Sequence, residues 1–311
     1  MRNILCVTLI ALLGGCTSTS VTEKYQDKRN DIINVKDKVI EFETGNVLIG
    51  SVSRLYMSNK CLLIADHKSV DKQIHIFNKN DFSYLTSIGN FGEGPEEITV
   101  MGCLAIDEAH HQLYVSDHAK QKIFSYDMDS VMVDSLYKPQ VKTAMNETLF
   151  PSEYQYINDT LSIAVLIKPT STSTFNQFLG RWNMNTGEMI PMKYTHPDIQ
   201  KKRITFAASE KAGIYVECYT RHDLMTICSL DGELLYNIYG PDWDGGNGNK
   251  LQSFGTVMIG NDKIFVSYCG EDYARDSFPT KILVFDLEGN YLKTLETGYK
   301  ISDCCYDSFI I

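Results

Sequence analysis

The chain repeats itself at one long, nearly constant interval, and that constrains its fold more than any other feature. Leu62-Leu63-Ile64-Ala65-Asp66-His67 is echoed by Leu113-Tyr114-Val115-Ser116-Asp117-His118, then by the strand-like runs at 161–165, 214–218 and 264–268. The starts of these runs are separated by 51, 48, 53 and 50 residues. A fixed period of this length marks solenoids, propellers or arrays.

Each run is followed by a second apolar stretch, at 73–77, 122–126, 178–182, 224–228 and 281–285. Next comes an Asn-, Asp- or Gly-containing turn, such as Asn78-Lys79-Asn80-Asp81 or Asp231-Gly232-Glu233, and then a third stretch, such as 234–239. Turns of that kind join antiparallel hairpins. A further β-like stretch precedes each run, for example 102–107, which makes four strands per repeat. Four antiparallel strands in each repeat are a propeller blade. Division of the chain by the repeat predicts an all-β, six-bladed propeller over residues 31–311, built of four-stranded antiparallel blades. The closing blade is shared by both termini: residues 301–311 begin it and 31–50 finish it. These two pieces are short, so that blade is expected to be incomplete. Pairing the two ends in one blade would tie off the ring and remove open sheet edges.

The first residues read as an address. Arg2 precedes the apolar run 4–13 (ILCVTLIALL), which has the length of a signal-peptide core and is too short to span a bilayer. It ends in Leu13-Gly14-Gly15-Cys16, which resembles the bacterial lipobox. The resemblance implies a signal peptide over residues 1–15 and lipidation of Cys16, with the acyl chains as the partner that holds the protein on a membrane. Thr17 follows, with no Asp to suggest inner-membrane retention, so an outer-membrane lipoprotein is expected, on the periplasmic or the surface side. The polar stretch 16–30 reads as a flexible tether.

Composition narrows the classes of function. The formal charge is −10, which argues against nucleic acid as a partner, because phosphate contacts need clustered Lys and Arg. Hydrophobic residues at 43% and charged residues at 22% fit a globular domain rather than disorder. Of the 9 cysteines, Cys6 leaves with the signal peptide and Cys16 is lipidated. The remainder, with no C-x-x-C, reads as structural thiols rather than a zinc site or disulfide framework, and a single disulfide stays open.

Two local stretches resemble a known family. Residues 113–127 (LYVSDHAKQKIFSYD) resemble the NHL-type blade pattern, with an Asp ending one strand and a basic residue opening the next. Residues 89–98 (GNFGEGPEEI) resemble the inter-blade loop of NHL-like propellers, with Ile98 in place of the usual aromatic residue. With the lipobox, the chain is similar to the TolB-like six-bladed propeller lipoproteins of the Bacteroidetes, over about residues 30–311. That resemblance implies fold and address, and it carries no reaction and no catalytic residue.

The candidate binding residues lie in turns and inter-blade loops. Asp66 and Asp117 stand where a strand gives way to a turn, a position from which a carboxylate accepts turn amides. His67 and His118 are equivalent in two blades and could line one end of the ring. Glu93 and Glu96 sit in the first inter-blade loop. Asp242, Trp243 and Asp244 sit in another, where Asp242, Asp244, Asn247 and Asn249 resemble a calcium loop whose EF-hand spacing fails. An exposed Trp243 would suit an anchor for sugar or protein. The chain contains no G-x-S-x-G, H-E-x-x-H or P-loop. The reading is therefore a monomeric, membrane-anchored propeller that binds an envelope protein or glycan through its loop faces, with no cofactor and no catalysis assigned. The alternative is a calcium-dependent hydrolase or lyase with a metal in the central channel, drawing on Asp107, Asp262 and Asp303.

Overall fold

A computed structural model describes residues 22–134, 136–247, 251–275 and 277–307. Residues 1–15, read above as a signal peptide, lie outside them, as do Cys16 and Asn249. Two short strands come first, β1 (Glu23–Tyr25) and β2 (Ile32–Asn34). Blade 1 holds β3 (Ser53–Met57), β4 (Cys61–Asp66), β5 (Lys72–Asn78) and β6 (Tyr84–Asn90). Blade 2 holds β7 (Met101–Asp107), β8 (Gln112–Asp117), β9 (Lys122–Asp127) and β10 (Gln140–Ala144). Between its last two strands lies the one-and-a-half-turn helix α1 (Met128–Val133). Blade 3 comprises β11 (Phe150–Asn158), β12 (Leu161–Pro169), β13 (Phe175–Trp182) and β14 (Met189–Pro191). Blade 4 comprises β15 (Ile204–Ser209), β16 (Ile214–Tyr219), β17 (Leu224–Ser229) and β18 (Leu234–Tyr239). Blade 5 comprises β19 (Leu251–Gly260), β20 (Lys263–Asp272), β21 (Lys281–Asp286) and β22 (Tyr291–Glu296). Within each blade, neighbouring strands pair antiparallel in sequence order. The five repeated runs of the sequence are the second strands.

Strand alternation explains how the blades stack, because successive side chains point to opposite faces of a sheet. Ile163 and Val165 pack against blade 4, whereas Ala164 and Leu166 pack against blade 2. On blade 1, Leu63, Ile74 and Ile76 meet Leu104, Leu113 and Phe124 of blade 2. The layer between blades 4 and 5 is built in the same way around Val216, Ile227, Phe254 and Phe285. Both faces of each second strand are therefore buried, and β4 and β16 are buried along their whole length.

The sixth position differs from the sequence expectation. Among the described residues, no sheet occupies it. Leu62, Ile64 and Phe77 on the free face of blade 1 are covered instead by irregular backbone carrying Val47, Ile49 and Cys305. Asp303 spans the gap: its carboxylate accepts from Leu55 N of blade 1 at 2.8 Å and from Thr256 Oγ1 of blade 5 at 2.6 Å. Tyr306 stacks on Phe265 of blade 5, and Asp307 pairs with Lys79 of blade 1 at 2.7 Å. Both termini thus meet where the sixth blade belongs, and they close the ring through side chains rather than a strand ladder.

The tether expectation also needs correction from Thr22 onward, because that segment is docked. β1 adds in parallel to the outer strand β18, and β2 adds in parallel to the outer strand β22. Tyr25 stacks on Tyr239 with ring centroids 4.5 Å apart, and Lys24 Nζ lies 3.8 Å above the Tyr236 ring. Between the two strands Arg29 enters the layer between blades 4 and 5 and pairs with buried Asp223 at 2.8 Å. A polar stretch without periodicity looks solvated in sequence, yet here its charges are matched by partners about 200 residues downstream. All seven cysteines from Cys61 onward are free thiols, four of them buried.

Candidate functional site

Every blade runs between two faces of the ring. The upper face carries the turns after the second strands and the loops between blades; the lower face carries the hairpin turns. Asp66 and Asp117 occupy equivalent upper-face corners and are buried. Asp66 accepts from Gly50 N at 2.7 Å and Lys68 N at 2.9 Å. Asp117 accepts from Thr99 N, Val100 N, Ala119 N and Lys120 N. Each carboxylate therefore stitches an inter-blade loop to the following turn.

His67 and His118 flank the start of β7. His67 Nδ1 donates to the Met101 carbonyl at 3.2 Å, and the His118 ring lies 5.9 Å from Phe150. A Cβ at Gly102 would fall 2.4 Å from both His118 Nε2 and Ser116 Oγ, so the imidazole needs glycine there. Burial lowers the pKa of both histidines, so both are neutral at physiological pH. Nearby, Arg54 of β3 reaches past blade 2 to Glu153 of β11, pairing at 2.6 Å at the channel mouth. The structure thus brings four upper-face groups into one neighbourhood, but no third metal-ligating atom joins the two histidines among the described residues.

The loop candidates are more dispersed. Glu93 is exposed, and Glu96 forms a surface ion pair with Lys138. Glu97, the third carboxylate of that loop, folds back to accept from Gly94 N, while Lys120 Nζ caps the Gly94 and Glu97 carbonyls. Ile98 is fully buried between blades 1 and 2. Trp243 is not an exposed anchor: its ring packs among His196, His222 and Tyr239 at centroid distances of 5.7, 6.0 and 5.0 Å. Asp242 accepts from Tyr268 OH, and Asp244 is exposed.

The three channel acids do not converge. Asp303 is consumed by ring closure, and Asp262 is an exposed turn residue beside Lys211. Asp107 is buried at the lower mouth, accepting from His110 Nδ1 at 2.8 Å and Tyr114 OH at 3.1 Å. With Asp159 it completes the one group of three ligand atoms within 4.8 Å among the described residues. Hydrogen bonding to Asp107 raises the pKa of His110. Burial by itself would push Asp107 toward the protonated form, but its bonds from His110 and the tyrosines outweigh that and hold it below the ordinary value. Nucleophilic thiols are not on offer: burial pushes Cys103, Cys228, Cys304 and Cys305 up to about 12.

Sequence reasoning also missed a lower-face groove of about 260 Å³ between blades 1 and 2. Leu63, Ile106, Leu113 and Met128 form an apolar floor, and Lys60, Glu108, His111 and Asp129 a polar rim. Helix α1 walls one side. Asp127 caps it, accepting from Ser130 N at 2.7 Å, and Val131 is buried beneath it. Met132 and Val133 are left facing solvent, with Leu85 beside them on β6. The sequence signal was the run Met128–Val133, too short to register as a helical period.

The model of the family DUF5128, described as a 6-bladed beta-propeller, matches residues 17–178, just over half of the chain. The chain belongs to this family. The DUF5128 propeller is also similar in fold to a protein of Bacteroides fragilis named as exported, with a TM-score of 0.54 and 14% identity over 89% of this chain and 80% of the other. A DUF4221 family member from Bacteroides vulgatus gives 0.51 and 12% identity, over 78% of this chain and 80% of its own. At such identities the likeness concerns fold alone. No curated protein matches the DUF5128 chain. Among the described residues, no helix is long and apolar enough to cross a membrane.

Proposed function

We propose that this propeller is an exported, lipid-anchored binding protein, and that it engages a partner protein through the groove between blades 1 and 2. The observation that carries the reading is the groove itself: an apolar floor with a charged rim, flanked by exposed Leu85, Met132 and Val133. Such a patch suits an apolar side chain of a protein partner set among polar contacts. A glycan would call for an open aromatic platform, and Trp243 is packed away from that role. Export and anchoring are supported by the lipobox-like Leu13-Gly14-Gly15-Cys16, by the family match beginning at Thr17, and by the B. fragilis neighbour named as exported.

The test is a comparative capture from envelope extract with soluble protein beginning at Thr17. Met132→Lys and Leu85→Lys change exposed side chains, and circular dichroism checks their folding. A partner retained by the wild type and by the upper-face variant Asp244→Lys, but lost by both groove variants, is the expected result. Retention by all the proteins, or loss only in Asp244→Lys, would refute the groove as the binding surface.

A further inference from the structure

Resting on the lipid-anchor reading, we infer that the docked N-terminal segment sets the pose of the propeller on its membrane: the rim of blades 4 and 5 meets the bilayer surface, and the groove points away from it. The argument starts from covalent reach. Six peptide units separate Cys16 from Thr22, and at no more than about 3.6 Å each they span at most about 22 Å. From Thr22 the chain is fixed to the ring. Asn237 N donates to the Thr22 carbonyl at 2.7 Å, and Glu23 accepts from Asn237 Nδ2 and Tyr239 OH. The Arg29–Asp223 pair then locks the segment into the layer between blades 4 and 5 before β2 joins β22. The point at which the anchor can leave is therefore the outer edge of blade 4, not a free tail.

The ring has six positions, the sixth filled by the two termini. The interval between blades 4 and 5 lies diametrically opposite the interval between blades 1 and 2, where the groove opens. Standing on the blade 4 rim, the protein holds the groove a full ring diameter from the lipid. Exposed carboxylates occur both on the lower face, at Glu108, Asp129 and Asp159, and at the outer edge of blades 4 and 5, at Asp231, Glu233 and Glu288, so the attachment point rather than charge sets the pose.

The experiment uses the acylated full-length protein in vesicles of phosphatidylethanolamine and phosphatidylglycerol that carry a headgroup nitroxide quencher. A coumarin-bearing residue is placed either at Glu233, on the lower edge of blade 4, or at Val133, beside the groove. Mass spectrometry of the N-terminal peptide and vesicle flotation report acylation independently, so loss of the anchor is recognised separately and would overturn the reading beneath this inference. With acylation established, the expected result is loss of fluorescence at Glu233 and none at Val133. Quenching at both positions means a flat pose, quenching at neither means the segment does not restrain the ring, and each overturns the inference. Insertion of a long Gly/Ser segment between Thr17 and Thr22 should abolish the difference between the two positions.

Discussion

Arg29→Ala removes one half of an ion pair whose side chains are 7% and 0% exposed. Deleting one partner of a buried pair leaves the other charge without compensation and costs about 3–5 kcal/mol. The guanidinium also lies 5.5–5.7 Å from the rings of Phe254, Tyr268 and Phe285, contacts that add about 1–2 kcal/mol. One effect works in the opposite direction. Burial already raises the pKa of Asp223 despite the neighbouring arginine, so without it the carboxyl can take up a proton and shed its charge. A folded-state pKa above the unfolded value means that the folded protein binds more protons, so the deficit of Arg29→Ala shrinks as the pH falls. The expected loss is about 3 kcal/mol near neutral pH, read as a lower urea midpoint at unchanged slope, and it is smaller near pH 5.5. Trp182 and Trp243 report unfolding, while amide exchange at Gln26, Val35 and Asn237 reports undocking of the segment alone. In the double variant Arg29→Ala/Asp223→Asn, a coupling of about 1–3 kcal/mol should appear. An unchanged midpoint, together with unprotected Gln26 and Val35 amides in the wild type, would show that residues 22–34 are a loose tether and refute the reasoning.

The other predictions concern packing, closure and pH. Gly240→Ala places a Cβ about 2.0 Å from the Asp223 carboxylate, which cannot retreat without leaving Arg29, so thermal denaturation should show a loss of about 1–3 kcal/mol. Asp303→Ala strips the acceptor from Leu55 N and Thr256 Oγ1, and a loss of about 2–4 kcal/mol with faster exchange at Leu55 is expected; an unaltered Leu55 amide would refute closure through this residue. His67, His75, His118, His196 and His222 all have pKa values lowered, in each case chiefly by burial, whereas that of His110 is raised. Groups depressed on folding contribute stability that is complete above about 6.5 and is lost as pH falls through the folded values, so Tm should drop between about pH 7.5 and 5.5. A Tm that is flat or rises over this interval would contradict the burial of these rings.

The repeat was legible because both faces of each second strand are buried, which leaves near-continuous apolar runs such as Leu62–Ala65 and Ile214–Val216 in the sequence. The corner aspartates were legible too, since a carboxylate ending a strand has local amides to accept. What stayed hidden depends on partners far along the chain. Glu23, Lys24 and Arg29 look solvated until Asn237, Tyr236 and Asp223 are brought beside them. Lys202 and Glu217 form a buried pair at 2.6 Å that no local pattern in the sequence announces. Trp243 sits in a polar loop, and nothing local signals that His196 and His222 will enclose it. The groove was missed because its floor is assembled from two blades, and neither blade alone distinguishes a groove residue such as Leu113 from any other core position.

Closure by Asp303 and Tyr306 has a consequence for the order of events during biogenesis. The acceptor for Leu55 lies 248 residues downstream. Blades 1 to 5 can assemble progressively, since each buries its neighbour through contacts roughly one repeat apart. The Leu62, Ile64 and Phe77 face of blade 1 stays only partly covered until the segment carrying Cys305 arrives. Contacts of such sequence separation form slowly, and the exposed apolar face invites association in the meantime. Ring closure thus waits on the segment that carries Asp303 and Tyr306, and until it docks the apolar face of blade 1 is the surface most open to association.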